Sequence, residues 1–266
     1  MLSGAGWFVY RDKIALPHAH SDVNYIVSLG DSVAAGAGLL AVSNPSQADT
    51  ACNRSIQAYP EVLAQNLNTP LKQFACSGAQ VIAGVVQPQA AKDVTIPAQL
   101  DAATPYLKGN DVIVTVGAND VGWSDMLQRC ARSMCNSDAD LQTYQQDLQN
   151  LAVNLDSIYK TIHDAKPHAF LINAYYSILS PTDTCFAAFG ITQDKIQWVV
   201  DREAELNTVI AGEARKYSAK LITPDFSRHL LCDTDPWLQG LLGDAPLHPT
   251  VDGQKHIAQQ DADTLR

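Results

Sequence analysis

The chain has 266 residues, of which 46% are hydrophobic and 17% are charged, and it is long enough to bury the core of one large α/β domain. Its 28 acidic and 18 basic residues give a formal net charge of -10, which disfavours nucleic acid and anionic membrane surfaces as partners. The long uncharged stretch at residues 32–48 is interrupted by glycine, proline and polar residues, so no transmembrane segment is predicted. We expect a monomer that binds no nucleic acid.

The first 21 residues are predicted to form a loosely packed N-terminal extension, followed by one domain over residues 22–266. The apolar patch from Trp7 to Tyr10 is too short for the core of a secretory leader. If the protein is exported, we therefore expect that its leader has been removed or that the start of the gene is misread. His18 and His20 in the extension are expected to be surface residues rather than metal ligands.

Apolar strand-like runs alternate with helical patterns along the rest of the chain. This alternation predicts an α/β fold with a mainly parallel sheet. The run at 112–116 is an almost continuous series of apolar β-formers, as in a strand covered on both faces. The predicted strands are residues 24–29, the region around 72–75, 111–116, 169–174 and, more weakly, 220–222.

Three helices are predicted in the second half of the chain. From Leu141 to Ile162, apolar residues recur at steps of three and four, which places them on one face of a long helix. His163, near the end of that helix, is expected to be solvated. A second helix is predicted over residues 192–217 with Thr192 as its N-cap, and a third begins after Val251.

Three loops that follow predicted strands contain small and polar residues. They are LGDSVAAGAG from residue 29, CSGA at 76–79 and GAND at 117–120. In open parallel sheets, ligands bind beyond the carboxyl ends of the strands. We therefore expect these loops to lie at one edge of the sheet and to carry the function.

The first loop excludes several common motifs. A phosphate-binding loop needs a lysine after its glycines, a dinucleotide fingerprint needs a third glycine, and the GxSxG nucleophile elbow is absent from the chain. What remains is Ser32, presented as a nucleophile at a strand-to-helix turn near main-chain amides. The structural alternative is that Ser32 caps the helix.

The six cysteines favour disulfide bonds over a zinc site, because they form no CxxC pair and do not cluster with several histidines. Six cysteines allow 15 pairings. Pairing neighbours along the chain gives Cys52–Cys76, Cys130–Cys135 and Cys185–Cys232, which implies an oxidising compartment. The alternative is six buried free thiols in a cytosolic protein.

Four short motifs, taken in order, resemble the SGNH hydrolases, also called GDSL esterases and lipases. The resemblance runs from about Tyr25 to the end of the chain. The stretch from Cys52 to Pro60 and the three-pair cysteine layout are similar to the secreted actinobacterial lipase branch. The motifs are Gly30-Asp31-Ser32, Gly78, Asn119 in Gly-Ala-Asn-Asp, and His248 in His-Pro.

This resemblance implies a single three-layer α/β/α domain with a flavodoxin-like sheet, and it implies a role for each motif residue. Ser32 is the nucleophile and His248 is its general base. The main-chain N–H groups of Ser32 and Gly78 and the side-chain amide of Asn119 form the oxyanion hole. His229 is the one rival base, expected instead to be packed or at the surface, and the structural alternative for Asn119 is a turn-forming residue.

The third member of the catalytic group is left open by the sequence. Many family members have an aspartate three residues before the histidine, whereas this chain has Ala245. Asp244 lies one residue too early for the usual geometry, and Asp252 lies four residues after His248. The similar secreted branch can use a main-chain carbonyl instead, so we favour a Ser-His dyad oriented by the Ala245 carbonyl, with Asp244 as the alternative.

The function implied by the resemblance is a secreted serine carboxylic-ester hydrolase that acts on a small-molecule or lipid ester without metal or cofactor. Two alternatives are a carbohydrate O-acetyl esterase on the same fold and a non-catalytic binding module. The module is disfavoured because all four motifs are present. The sequence does not define the acyl length of the substrate, since loops such as 39–51 and 122–137 are expected to build the pocket. Trp123, in the second of these loops, is expected either to line the pocket or to pack in the hydrophobic core.

Overall fold

The computed structural model describes residues 24–132 and 135–266. Five parallel strands form the central sheet in the order β2-β1-β5-β6-β7. Each lies within two residues of its predicted position. The predicted extension, with His18 and His20, lies outside the described residues. The strands are β1 (Ile26–Gly30), β2 (Leu71–Gln73), β5 (Asp111–Thr115), β6 (Ala169–Asn173) and β7 (Lys220–Ile222).

A separate antiparallel hairpin, β3 (Gln89–Ala91) with β4 (Val94–Ile96), was not predicted. Its strands have only three residues each, too few to show an alternating pattern. Without this hairpin, the sheet order in sequence terms is 2-1-3-4-5, which is the flavodoxin-like order. The predicted fold class is confirmed.

Eight α-helices are present among the described residues. The three predicted helices correspond to the last three of them. Thr192 occupies the N-cap of α7, but its side chain makes no capping hydrogen bond, so the predicted cap is positional only. The helices are α1 (Ser32–Ala35), α2 (Gln47–Cys52), α3 (Tyr59–Leu67), α4 (Gln99–Leu107), α5 (Trp123–Ala131), α6 (Asp138–Asp164), α7 (Gln193–Lys216) and α8 (Val251–Leu265).

The helices cover the sheet as two packed pairs, α3 with α8 and α6 with α7. Consecutive residues Val112, Ile113 and Val114 of β5 are all buried, which requires that both faces of the strand be covered. The apolar stripe of α6 is buried, as its spacing predicted. The result is a three-layer α/β/α arrangement.

Three disulfides are present, and they are the three predicted pairs: Cys52–Cys76, Cys130–Cys135 and Cys185–Cys232. The first joins the end of α2 to the loop that carries Gly78, so it anchors that loop directly. In the described part of the chain, no helix has the length and apolar character needed to cross a membrane.

Candidate active site

The loop after β1 presents Ser32 at the first position of α1. Asp31, not Ser32, is the N-cap, since its Oδ1 accepts a hydrogen bond from the Val33 N–H at 2.9 Å. The cap hypothesis for Ser32 is therefore wrong. Because Asp31 satisfies the helix terminus, the Ser32 hydroxyl is left for another partner.

A sharp turn at Gly30 aims Ser32 out of the sheet. Gly30 has φ of 148°, and a Cβ there would lie 2.2 Å from the carbonyl oxygen of Thr115. Only glycine fits so close to the neighbouring strand. The buried Gln99 amide holds both main-chain groups of Gly30, accepting its N–H at 2.8 Å and donating to its carbonyl at 2.9 Å.

His248 and Ser32, which are 216 residues apart, are in direct contact. The imidazole Nε2 lies 2.7 Å from the Ser32 Oγ. Its Nδ1 lies 3.1 Å from the carbonyl oxygen of Pro246. The predicted Ala245 carbonyl instead accepts the main-chain N–H of His248 at 3.2 Å, so the carbonyl that faces Nδ1 belongs to the next residue along the chain.

Burial lowers the pKa of His248, and the carbonyls of Pro246 and Ala245 partly offset that effect. The neutral imidazole is the form that can accept a proton from serine. Its lowered pKa therefore keeps His248 in the base form at neutral pH, while the Pro246 carbonyl favours the tautomer with the proton on Nδ1.

No carboxylate in the described part of the chain is hydrogen-bonded to this imidazole. Asp244 is exposed, and Asp252 forms an exposed ion pair with Lys255 at 2.9 Å. The geometry therefore matches a Ser-His dyad with a main-chain carbonyl as the third member.

Gln239 holds the histidine loop against the nucleophile loop. Its side-chain amide donates to the carbonyls of Ala37 at 2.8 Å and Pro249 at 3.1 Å. Its main-chain N–H donates to the His248 carbonyl at 2.7 Å, and its carbonyl accepts from the Leu247 N–H at 2.9 Å. These four bonds fix the backbone on both sides of the imidazole, and they stabilise Leu247 at its positive φ of 65°.

The three predicted oxyanion donors belong to the loops that follow β1, β2 and β5. Among the described residues, the main-chain N–H groups of Ser32 and Gly78 have no acceptor. Gly78 is exposed with φ of 80°, and a Cβ there would project into open space. The Asn119 Nδ2 donates to the carbonyl of Ala79 at 3.0 Å, which leaves its second amide hydrogen free. Within the described part of the chain, each of the three predicted donors therefore has an N–H without a hydrogen-bond acceptor, and the oxyanion hole stays a prediction.

Further hydrogen bonds tie the Gly78 loop to the Asn119 loop. The Gln80 side chain donates to the Asn119 carbonyl at 3.0 Å, and the Asp120 carboxylate accepts the Val81 N–H at 3.0 Å. Burial raises the pKa of Asp120 to about 7, although the Val81 N–H opposes that effect. The two loops are held as one unit.

A buried tyrosine, which the sequence did not single out, joins the nucleophile loop to the Asn119 loop. The Tyr175 hydroxyl donates to Asp31 Oδ2 and accepts the Ala118 N–H at 3.0 Å. Burial raises the pKa of Asp31 to about 6, while the hydrogen bonds from Tyr175 and Val33 lower it. Tyr175 thus sets the relative position of the two loops.

The other sequence candidates lie outside this arrangement. His229 stacks on Trp237 with ring centroids 3.7 Å apart, and its Nδ1 contacts the Asp235 carbonyl at 2.8 Å. It is packed, as expected, and does not contact Ser32. Trp123 begins α5 and packs against the hydrophobic core. His163 is exposed near the end of α6.

If the Pro246 carbonyl orients His248, the two nearby aspartates are dispensable for chemistry. We expect Asp244→Asn and Asp252→Asn each to lose at most about tenfold in kcat, or about 1.4 kcal/mol of barrier. Asp252→Asn is also expected to lower the free energy of unfolding slightly, because Asp252 lies in the first turn of α8. A loss of several hundredfold in either variant, with an unchanged circular dichroism spectrum, would show that a carboxylate completes a triad.

Three bacterial lipolytic proteins are similar to this chain in sequence or in fold. "Lipase 2" of Streptomyces coelicolor is 26% identical over 263 residues, covering 90% of this chain and 85% of that protein. Phospholipase A1 from Streptomyces albidoflavus NA297 is 25% identical, with a TM-score of 0.69, covering 90% of this chain and 99% of that one. An extracellular lipase from Streptomyces rimosus, at 24% identity, shares the fold with a TM-score of 0.73, covering 90% of this chain and 100% of that one.

The sequence model of the GDSL-like lipase/acylhydrolase family matches residues 28–256, which include all four motifs. Together with the lipase relatives, this match identifies the enzyme class and removes the non-catalytic module from consideration. The chain belongs to the GDSL-like lipase/acylhydrolase family and is a carboxylic-ester hydrolase of the lipase or esterase type.

Proposed function

We propose that the protein hydrolyses esters of medium or long acyl chains through Ser32 and His248. The observation that carries the chemistry is the 2.7 Å contact between the Ser32 Oγ and the His248 Nε2. The observation that carries the substrate class is an apolar groove whose lining includes Leu247, the residue before His248.

In the proposed reaction, the Ser32 Oγ attacks the ester carbonyl carbon while His248 Nε2 takes the hydroxyl proton. The carbonyl oxygen gains negative charge, which the N–H groups of Ser32 and Gly78 and the amide of Asn119 stabilise. The imidazolium then returns the proton to the leaving alcohol, and an acyl-enzyme forms. Water, activated by the same imidazole, releases the acid and regenerates Ser32.

The lining of the apolar groove includes residues that lie close in sequence to two of the site loops. Leu127 and Cys130 on α5, which follows the Asn119 loop, form one part of its lining. Leu247, the residue before His248, forms another. The one charged lining residue is Lys195. The remaining lining residues are Ala131, Ile178, Leu179, Phe186, Ile191, Ile196, Val199, Leu231 and Leu241.

This lining favours an acyl chain over a glycan. A carbohydrate O-acetyl esterase must bind sugar hydroxyls with polar groups, whereas nearly every lining residue of this groove is apolar. Each methylene group that leaves water stabilises the complex by about 0.8 kcal/mol. The groove therefore supports the lipase or esterase function over the O-acetyl esterase alternative.

Filling the groove is expected to change the preference for acyl length. Leu127 is half-buried in the lining, so Leu127→Trp is expected to lower kcat/KM for a decanoyl ester at least tenfold more than for an acetyl ester. Gln128→Trp is the matched control, because Gln128 is the exposed next residue on the same helix. Equal losses on both esters, or turnover of acetylated glycans above acyl esters, would contradict an acyl groove.

We also propose that the protein acts as a secreted monomer with one catalytic domain over residues 22–266. The three disulfides and the similarity to an extracellular lipase fit an extracytoplasmic location. The formal net charge of -10 disfavours nucleic acid as a partner. Light scattering on the purified protein tests the proposed oligomeric state, and we expect the mass of one chain.

A further inference from the structure

Three large apolar side chains are exposed in two loops near the groove. Leu242 is 103% exposed, Phe189 is 75% exposed and Leu241 is 48% exposed. Leu241 and Leu242 form the centre of a Gly-Leu-Leu-Gly loop at 240–243, a few residues before His248. We call these three residues the apolar rim.

The apolar rim is continuous with the acyl groove. Leu241 is itself part of the groove lining. Phe189 is linked to the groove by Phe186, another lining residue, whose ring centroid lies 6.5 Å from that of Phe189. The two loops therefore border the groove, whose lining also includes Leu247, the residue before His248.

We propose that the apolar rim is a lipid-contact surface, which seats the enzyme on aggregated ester substrate and delivers the acyl chain into the groove. The inference rests on the proposed function, since it assigns the partner of the same site. A protein that covered the rim would cover the groove as well. Such a protein would block access of the substrate to the groove, whereas aggregated ester substrate on this face would supply the acyl chains that the enzyme hydrolyses.

The charges around the rim restrict the kind of lipid surface. Residues 183–195 and 233–244, which adjoin the two loops, contain five aspartates and one lysine, and the formal net charge of the chain is -10. An anionic surface is therefore repelled, and each added negative charge at that surface weakens association. The rim fits a neutral or zwitterionic surface.

Binding is tested in a Ser32→Ala background, so that the lipid is not consumed during the measurement. We compare how much of the Ser32→Ala protein sediments with phosphatidylcholine vesicles with how much of the triple variant Ser32→Ala, Leu242→Ser, Phe189→Ser does so. We expect the partition coefficient onto the vesicles to be at least tenfold lower for the triple variant. For the Ser32→Ala protein itself, we expect the partition coefficient to fall when phosphatidylglycerol is added to the vesicles. Val153→Ser is the matched control, because Val153 is 71% exposed on α6 and lies outside the rim. Equal binding, or tighter binding to anionic vesicles, would overturn the proposal.

Kinetics with Ser32 intact separate this inference from the proposed function. Leu242→Ser is expected to keep the turnover of a soluble butyrate ester and to lose at least fivefold on an emulsified triacylglycerol. Equal losses on both would place Leu242 in the chemistry of the site and contradict a surface role. A shift from dimer to monomer in Leu242→Ser would assign the rim to a second copy of the chain. Hydrolysis of soluble ester by Ser32→Ala would reject the proposed function without affecting the vesicle result.

Discussion

Ser32→Ala and His248→Ala are each expected to lower kcat for ester hydrolysis by about 10⁴-fold or more, and the double variant is expected to lose little more. The reason is that the 2.7 Å contact makes nucleophile and base one unit, so removing either group removes the same step. Steady-state turnover of a soluble ester, measured beside circular dichroism, tests the expectation.

His168→Ala and His229→Ala are the controls for the histidine variant. The His168 side chain is 69% exposed and precedes β6, at the end of the sheet away from the site. The His229 Nδ1 already contacts the Asp235 carbonyl. Both variants are expected to keep most of the turnover. A large loss in His229→Ala, with full activity in a folded His248→Ala, would transfer the role of base to His229.

Asn119→Ala is expected to lower kcat by about 10²–10³-fold with little change in KM. In the proposed oxyanion hole, the second amide hydrogen of Asn119 stabilises negative charge as it develops on the substrate oxygen, and the ground-state ester gains little from it. Both kcat and KM are measured for this variant, because the loss of a residue that binds the ground-state ester would raise KM instead of lowering kcat.

Gln80→Ala separates the oxyanion role of Asn119 from its role in joining two loops. Both side chains bond across these loops, Asn119 to the Ala79 carbonyl and Gln80 to the Asn119 carbonyl. We expect Gln80→Ala to lose less than tenfold in kcat. Similar losses in both variants would show that Asn119 acts by positioning the loop alone.

Much of the framework could be predicted from local patterns. The strand at 111–115 and the stripe of α6 repeat one physical signal over many residues, which the structure confirms. The motifs also predicted which three loops would meet, because the carboxyl ends of parallel strands share one edge of the sheet. The contact between Ser32 and His248 depended on the family resemblance, since nothing local relates residues 216 positions apart.

The groups that hold the site in place could not be predicted in the same way. Gln99 and Gln239 bond to main-chain atoms of distant loops, and a single glutamine gives no periodic or motif signal for such a bond. A main-chain carbonyl is present at every residue, so sequence spacing pointed to Ala245 where the structure has Pro246. Nothing in the local sequence distinguishes Tyr175 from its aromatic and apolar neighbours after β6, because only the fold brings its hydroxyl to Asp31.

The most direct test of the central claim is covalent labelling of the native enzyme with a fluorophosphonate, followed by mass spectrometry of its peptides. A serine whose proton is taken by an imidazole at hydrogen-bond distance attacks phosphorus, fluoride leaves as the P–F bond breaks, and the phosphonyl group remains on the serine oxygen. We predict one stoichiometric adduct on Ser32, loss of activity in proportion to labelling, and greatly slowed labelling in His248→Ala. Inactivation with the adduct on another residue, or full activity in enzyme labelled at Ser32, would contradict the account.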